Sequence, residues 1–74
     1  MADWKDRITF NPGQLGGRPC IRGMRIRVAD ILDLLAVGLS TKEILEEMPD
    51  LVAEDVEAAV RFAQSRIDHP VIAA

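Results

Sequence analysis

Four arginines, Arg18, Arg22, Arg25 and Arg27, lie within residues 16–27 beside the glycines Gly16, Gly17 and Gly23. A guanidinium carries its donors in a fixed planar fork that matches carboxylate and phosphate geometry. The segment's charge is set apart from the rest of the chain. Residues 1–27 hold six cations against two acids, net +4, and residues 28–74 hold three against ten, net −7. An acidic protein with one basic end is suited to touch a partner, or another copy of itself, with that end. The competing reading is ordinary: turn glycines and solvated arginines.

Other chemistries find less support. The glycines follow neither the P-loop nor the dinucleotide-binding spacing, so no nucleotide or other cofactor is expected. Cys20 and His69 lie in different segments and make no nucleophile–base pair. The carboxylates of the later helices are spread over polar faces. No Cys/His cluster has zinc spacing. No catalytic residue, metal ligand or small-molecule substrate is therefore assigned, and the chain is not read as an enzyme. Cys20, between Pro19 and Ile21, reads as a small buried hydrophobe. Trp4, Phe10 and Ile26 read as dimer or packing anchors, and Phe62 as core or interface.

These residues need elements to position them. Residues 1–27 read as an extended basic β-segment, with a strand at residues 7–10 closed by the turn Asn11-Pro12-Gly13. Ile26 and Val28 alternate with Arg25 and Arg27, the period of a half-buried strand, which predicts a short hairpin or paired extended segments. Three helices follow within residues 28–68. The first, at residues 28–37, has an apolar face of Val28, Ile31, Leu32 and Leu35, widened by Leu34, and Gly38 as its stop. The second opens with Ser40 and Glu43, a capping box, with Leu39 and Ile44 as a staple and Ile44, Leu45 and Met48 facing inward. The third, at residues 53–67, recurs at Val56, Ala59, Val60, Ala63 and Ile67. Glu54, Glu57, Arg61, Gln64 and Asp68 form its wet face, with Glu57 and Arg61 an i,i+4 pair. Val52 falls at its N-cap, with Asp50 capping a slightly earlier start as the alternative. Residues 69–74 form a tail that Pro70 separates from the helix, where Val71 and Ile72 either dock on a neighbour or fray.

With 74 residues the chain makes one small domain, and cores of this size seldom supply more than about 3–5 kcal/mol. One cysteine excludes an internal disulfide and points to a reducing compartment. No metal cluster is available, so a partner or a second copy is the remaining source of stability; a homodimer is expected. No run approaches the apolar length of a membrane span, and the charged start MADWKDR carries no secretory signal. A cytoplasmic protein without membrane contact is the expectation.

The blocks I…NPG…GGRPCIRGMRIRVADILDLLAVGLSTKEILEEMPDL…EDVEAAV, residues 8 to 63, make the chain resemble the domain-of-unknown-function 433 family of small prokaryotic proteins. The strongest block is GGRPCIRG followed by R-I-x-V-x-D-I-L. The resemblance implies a small helical domain of homeodomain-like, helix-turn-helix character. It also implies an antitoxin role, paired with a nuclease-like toxin of the PIN superfamily. Val52 departs from the family, which usually shows Thr there, and valine cannot accept a hydrogen bond from the helix amides.

Charge argues against the usual DNA geometry. The third helix opens with Glu54, Asp55 and Glu57, read here as three exposed carboxylates that would face phosphates. The basic segment could instead grip DNA as a β-ribbon. The fold expected is mainly α: a short N-terminal β-segment and then a three-helix, helix-turn-helix-like bundle. The function expected is binding and neutralising a cognate PIN-like toxin through Arg18, Arg22, Arg25 and Arg27, with Arg22 foremost and operator DNA as a second ligand. The alternative is a helix-turn-helix-like regulator, or a dimeric interaction module, with no toxin.

Overall fold

The computed structural model describes residues 3–67. After a 3-10 turn at Trp4–Arg7, strand β1 (Ile8–Thr9) pairs antiparallel with β2 (Cys20–Ile21), in the register Ile8 to Ile21 and Thr9 to Cys20. Helices α1 (Val28–Ala36), α2 (Thr41–Glu47) and α3 (Ala53–Ile67) then build the bundle. The architecture is the small helical bundle with an N-terminal β-segment that patterning predicts.

The β-segment is shorter than its alternation suggests. Arg7 belongs to the 3-10 turn, and Phe10 lies beyond β1. In the connection, the Asn11 side chain accepts from the Gly13 N–H at 2.9 Å, the local bond that makes Asn a turn residue. Beyond β2 the chain reverses and returns as a single bridge, Cys20 to Arg27. The turn closes with Met24 N–H donating to Ile21 C=O at 2.8 Å. Both its central residues, Arg22 at φ 47° and Gly23 at φ 73°, lie in the left-handed region. Positive φ at both positions matches the right-handed twist of a hairpin, but it is unfavourable for an L side chain such as Arg22. β2 therefore lies between β1 and the returning segment, and among the described residues β1 is paired on one side only.

Helix boundaries follow local signals closely. Ser40 Oγ accepts from Glu43 N–H at 3.2 Å, and Glu43 Oε1 accepts from Ser40 N–H at 2.8 Å, so two orphan amides are satisfied reciprocally. Those bonds hold the Glu43 carboxyl below its usual pKa. α1 stops at Val37 and Gly38, the glycine at φ 103°. The first turn of α1 carries a cap absent from the expectation. The Asp30 carboxylate accepts from the Arg27 backbone N–H at 2.9 Å and from Arg27 Nη2 at 2.8 Å.

The core is Ile21, Val28, Ile31, Ile44, Leu51, Val56 and Ala59. β2 and all three helices contribute, so the hairpin packs as part of the bundle. Cys20 is buried, as its apolar neighbours imply. The inward face of α3 differs from the expected one. Val60 (44% exposed) and Ile67 (78%) face outward, while Asp55, Val56, Ala58 and Ala59 are buried. The buried face of α3 runs Asp55/Val56, Ala58/Ala59 and Phe62, spaced three to four residues apart. Val56 and Ala59 hold the inward places that apolar spacing gives them, while Asp55 and Ala58 are buried in place of Val60 and Ile67. Asp68 and the tail residues His69, Pro70, Val71 and Ile72 lie outside the described residues.

Candidate functional site

Asp55 is the one charged residue at 0% exposure among the described residues. It occupies the third position of α3, where a carboxylate can reach back over the first turn. Its Oδ2 accepts from the Val52 backbone N–H at 3.0 Å. That bond is half of a capping box, and it serves the N-terminus of a helix whose N-cap side chain, valine, accepts nothing. α3 begins at Ala53, so Val52 and not Asp50 holds the cap position.

Two arginines complete the shell. Arg22 lies along the carboxylate, with Nε on Oδ1 at 3.0 Å and Nη2 on Oδ2 at 2.8 Å. Its Nη2 also donates to the Asp50 carbonyl at 3.0 Å. Arg7 Nη1 donates to Oδ1 at 2.8 Å. The carboxylate thus accepts four hydrogen bonds, two on each oxygen, which fills its capacity. Burial pushes the Asp55 carboxyl up, but the bonds from Arg22, the Val52 amide and Arg7 outweigh it and hold the group below its ordinary pKa. The fork on Asp55 in turn raises the Arg22 guanidinium. A carboxylate so saturated has no lone pair free for a metal or a substrate proton. Its chemistry is structural: it ties the 3-10 turn and the hairpin tip to the start of α3.

This cluster revises two sequence expectations. Asp55 is not an exposed carboxylate of a recognition helix; it points inward because its helical phase matches Ala59 and Phe62. The outward charges at that end are Glu54 and Glu57, the latter paired with Arg61 at 3.1 Å. Arg22, at the hairpin tip as expected, meets a carboxylate of its own chain. A clue was present: an acid set in an apolar helical stripe. Its partners, 48 and 33 residues away, were not legible.

The other three arginines separate into two kinds. Arg27 turns back onto Asp30, which it holds below its ordinary pKa, while burial of that carboxyl acts in the opposite direction. Arg18 and Arg25 are exposed and, among the described residues, make no ion pair. Arg18 follows three consecutive positive-φ residues, Leu15 (51°), Gly16 (68°) and Gly17 (77°). Arg25 follows the hairpin tip. Gln14 links the two loops, its Nε2 donating to the Gly23 carbonyl at 3.0 Å. Ile26 packs partly buried against the core, as a packing anchor.

Trp4 and Phe10 converge instead on α3. The Trp4 ring meets Phe62 edge-on at 6.5 Å, and Phe10 tilts against the same ring at 5.9 Å. Among the described residues no three His, Cys, Asp or Glu side chains are grouped to hold a metal ion. No helix among them is long and apolar enough to cross a membrane.

Comparison with known proteins agrees with this architecture. A crystal structure of a DUF433 member protein from Anabaena variabilis ATCC 29413 superposes with a TM-score of 0.79 at 33% identity, over 86% of this chain and 63% of that one. An uncharacterized protein, y4eO, of Sinorhizobium fredii is 35% identical over 65 residues. That alignment takes in 88% of this chain and 29% of the relative, so this chain spans under a third of that protein's length. Residues 8–63, from β1 into α3, match the family described as "Protein of unknown function (DUF433)", and the chain belongs to that family.

Proposed function

We propose that this chain is an antitoxin-like binding module that neutralises an acidic, PIN-like nuclease partner, with Arg18 and Arg25 as its contacting cations. One observation carries the reading. Of the four arginines of the basic segment, these two are exposed and make no ion pair among the described residues, and they sit on loops that Arg22, Arg27 and Gln14 hold in place. A guanidinium carried on a tied loop loses less backbone freedom on binding than one on a floppy tail. It can also pair bidentately with a carboxylate of a metal-binding acidic cluster. Arg22 serves as the tie that fixes the hairpin, and Arg27 as the cap of α1.

The module is further proposed to act as a cytoplasmic homodimer. Among the described residues β1 has a strand partner on one side only, and such an edge in a small domain invites pairing with a second copy. Operator DNA is a secondary ligand. Glu54 and Glu57 at the exposed start of α3 oppose phosphates, so DNA would meet the basic hairpin.

Co-expression with the neighbouring gene product tests the proposal. The wild-type chain should co-purify with it and restore growth. Arg18→Glu with Arg25→Glu should lose both effects while circular dichroism and the urea midpoint stay unchanged. Full rescue by that double variant would sink the proposed contact.

A further inference from the structure

We propose that the groove between the 3-10 turn and the end of α3 is a second docking site, for a protein segment that carries an apolar side chain flanked by carboxylates. This surface is separate from the arginine loops. Its floor is aromatic and aliphatic: Trp4, Ile8, Phe10 and Phe62 line a cavity of about 380 Å³. Phe10 is 52% exposed, large for a phenylalanine that already touches another ring. Trp4 and Phe10 cover Phe62 only at an edge and at a tilt, which leaves aromatic surface open to a further side chain.

The charge of the lining selects the occupant. Lys5 and Arg66 are the charged residues among those that line the groove. Both side chains are exposed, and each lies beside one of the groove's rings. Lys5 Nζ lies 5.8 Å from the centre of the Trp4 ring, and the Arg66 guanidinium lies 4.8 Å from that of Phe62. A ring face attracts a cation without neutralising it. Two positive charges thus flank an apolar floor, and among the described residues no carboxylate lines it. An incoming leucine or phenylalanine side chain would cover the rings, and acidic neighbours in its sequence would meet Lys5 and Arg66. A basic segment would be repelled.

Trp4 is the chain's single tryptophan, so the groove carries its own reporter. The full chain is titrated with acetyl-Glu-Asp-Leu-Phe-Asp-Glu-amide while Trp4 emission is followed. Acetyl-Lys-Lys-Leu-Phe-Lys-Lys-amide and acetyl-Glu-Asp-Gly-Gly-Asp-Glu-amide serve as probes of charge and of apolar anchor. The acidic apolar peptide should give a saturable change, and the other two none. Lys5→Glu with Arg66→Glu should weaken its binding about tenfold. Phe10→Asp should also weaken it, at a position exposed enough to leave the fold intact. Arg18→Glu with Arg25→Glu should bind the peptide as the wild type does, so failure here and failure of the antitoxin contact are told apart. Equal binding of the basic peptide would overturn the proposal. So would a Trp4 signal that never saturates, or one that moves with protein concentration alone, which would mean that a second copy fills the groove.

Discussion

Arg22 and Asp55, 33 residues apart in sequence, form a two-point fork: Nε on Oδ1 at 3.0 Å and Nη2 on Oδ2 at 2.8 Å. The arginine holds a left-handed backbone at a hairpin tip, and the aspartate sits buried in the first turn of α3. The pair explains how a hairpin of two-residue strands keeps one orientation on the bundle. It also explains why a residue other than glycine persists at that φ: the turn delivers the guanidinium to the buried Asp55 carboxylate.

The first prediction concerns this pair. Asp55→Asn keeps the size of the side chain but removes the charge that two guanidiniums hold. Arg22 and Arg7 are 39% and 28% exposed, so water recovers part of their solvation. The expected loss is about 2 kcal/mol, below that for a fully buried pair. Arg22→Lys should destabilise as well, because one ammonium cannot occupy both oxygens in the plane of the fork. Urea midpoints check both variants, and an unmoved midpoint for Asp55→Asn would mean the tie is not formed in solution.

The second concerns acid. The folded-state pKa values of Asp55 and Asp30 lie below the ordinary 3.8. The unfolded chain therefore takes up these protons first as pH falls. The stability due to each group is complete above the ordinary carboxylate range and disappears as pH drops through the lowered, folded-state value. Unfolding free energy measured from pH 6 downward should fall in that acid region. Asp55→Asn should flatten the fall, and an identical slope in wild type and variant would assign acid sensitivity elsewhere.

Capping gives the third. Ser40→Ala breaks the reciprocal box of α2 and should cost about 1 kcal/mol. Val52→Thr offers α3 a cap hydroxyl it lacks and should stabilise by less, since Asp55 already serves the Val52 amide. Thermal midpoints should move in opposite directions.

The fourth tests the secondary ligand. If operator DNA binds, Arg18→Ala and Arg25→Ala should weaken it and reduce its salt dependence. Glu54→Ala, Glu57→Ala and Arg61→Ala should leave it in place. A gel shift with the opposite pattern would return α3 to the role of a major-groove helix.

Elements whose signals are local were legible in the sequence. Ser40 and Glu43 mark the start of α2 because a capping box closes within four residues. Gly38 marks the end of α1 because few other residues take φ 103°. The apolar spacing of Val28, Ile31 and Leu35 sets the face of α1. The motif blocks place residues 8–63 in the family. Apolar spacing alone places Val60 and Ile67 inward, whereas an aspartate holds the inward position beside Ala58 and Ala59. Only the tertiary structure decided that, since a carboxylate can be buried only where donors surround it, and three of the four hydrogen bonds come from Arg7 and Arg22, far away in the chain. The same long-range pairing divided the arginines. Composition grouped four of them as one basic patch; packing turned Arg22 and Arg27 onto acids of their own chain and left Arg18 and Arg25 outward. Sequence sets the number of charges, and the fold determines which of them remain unpaired at the surface.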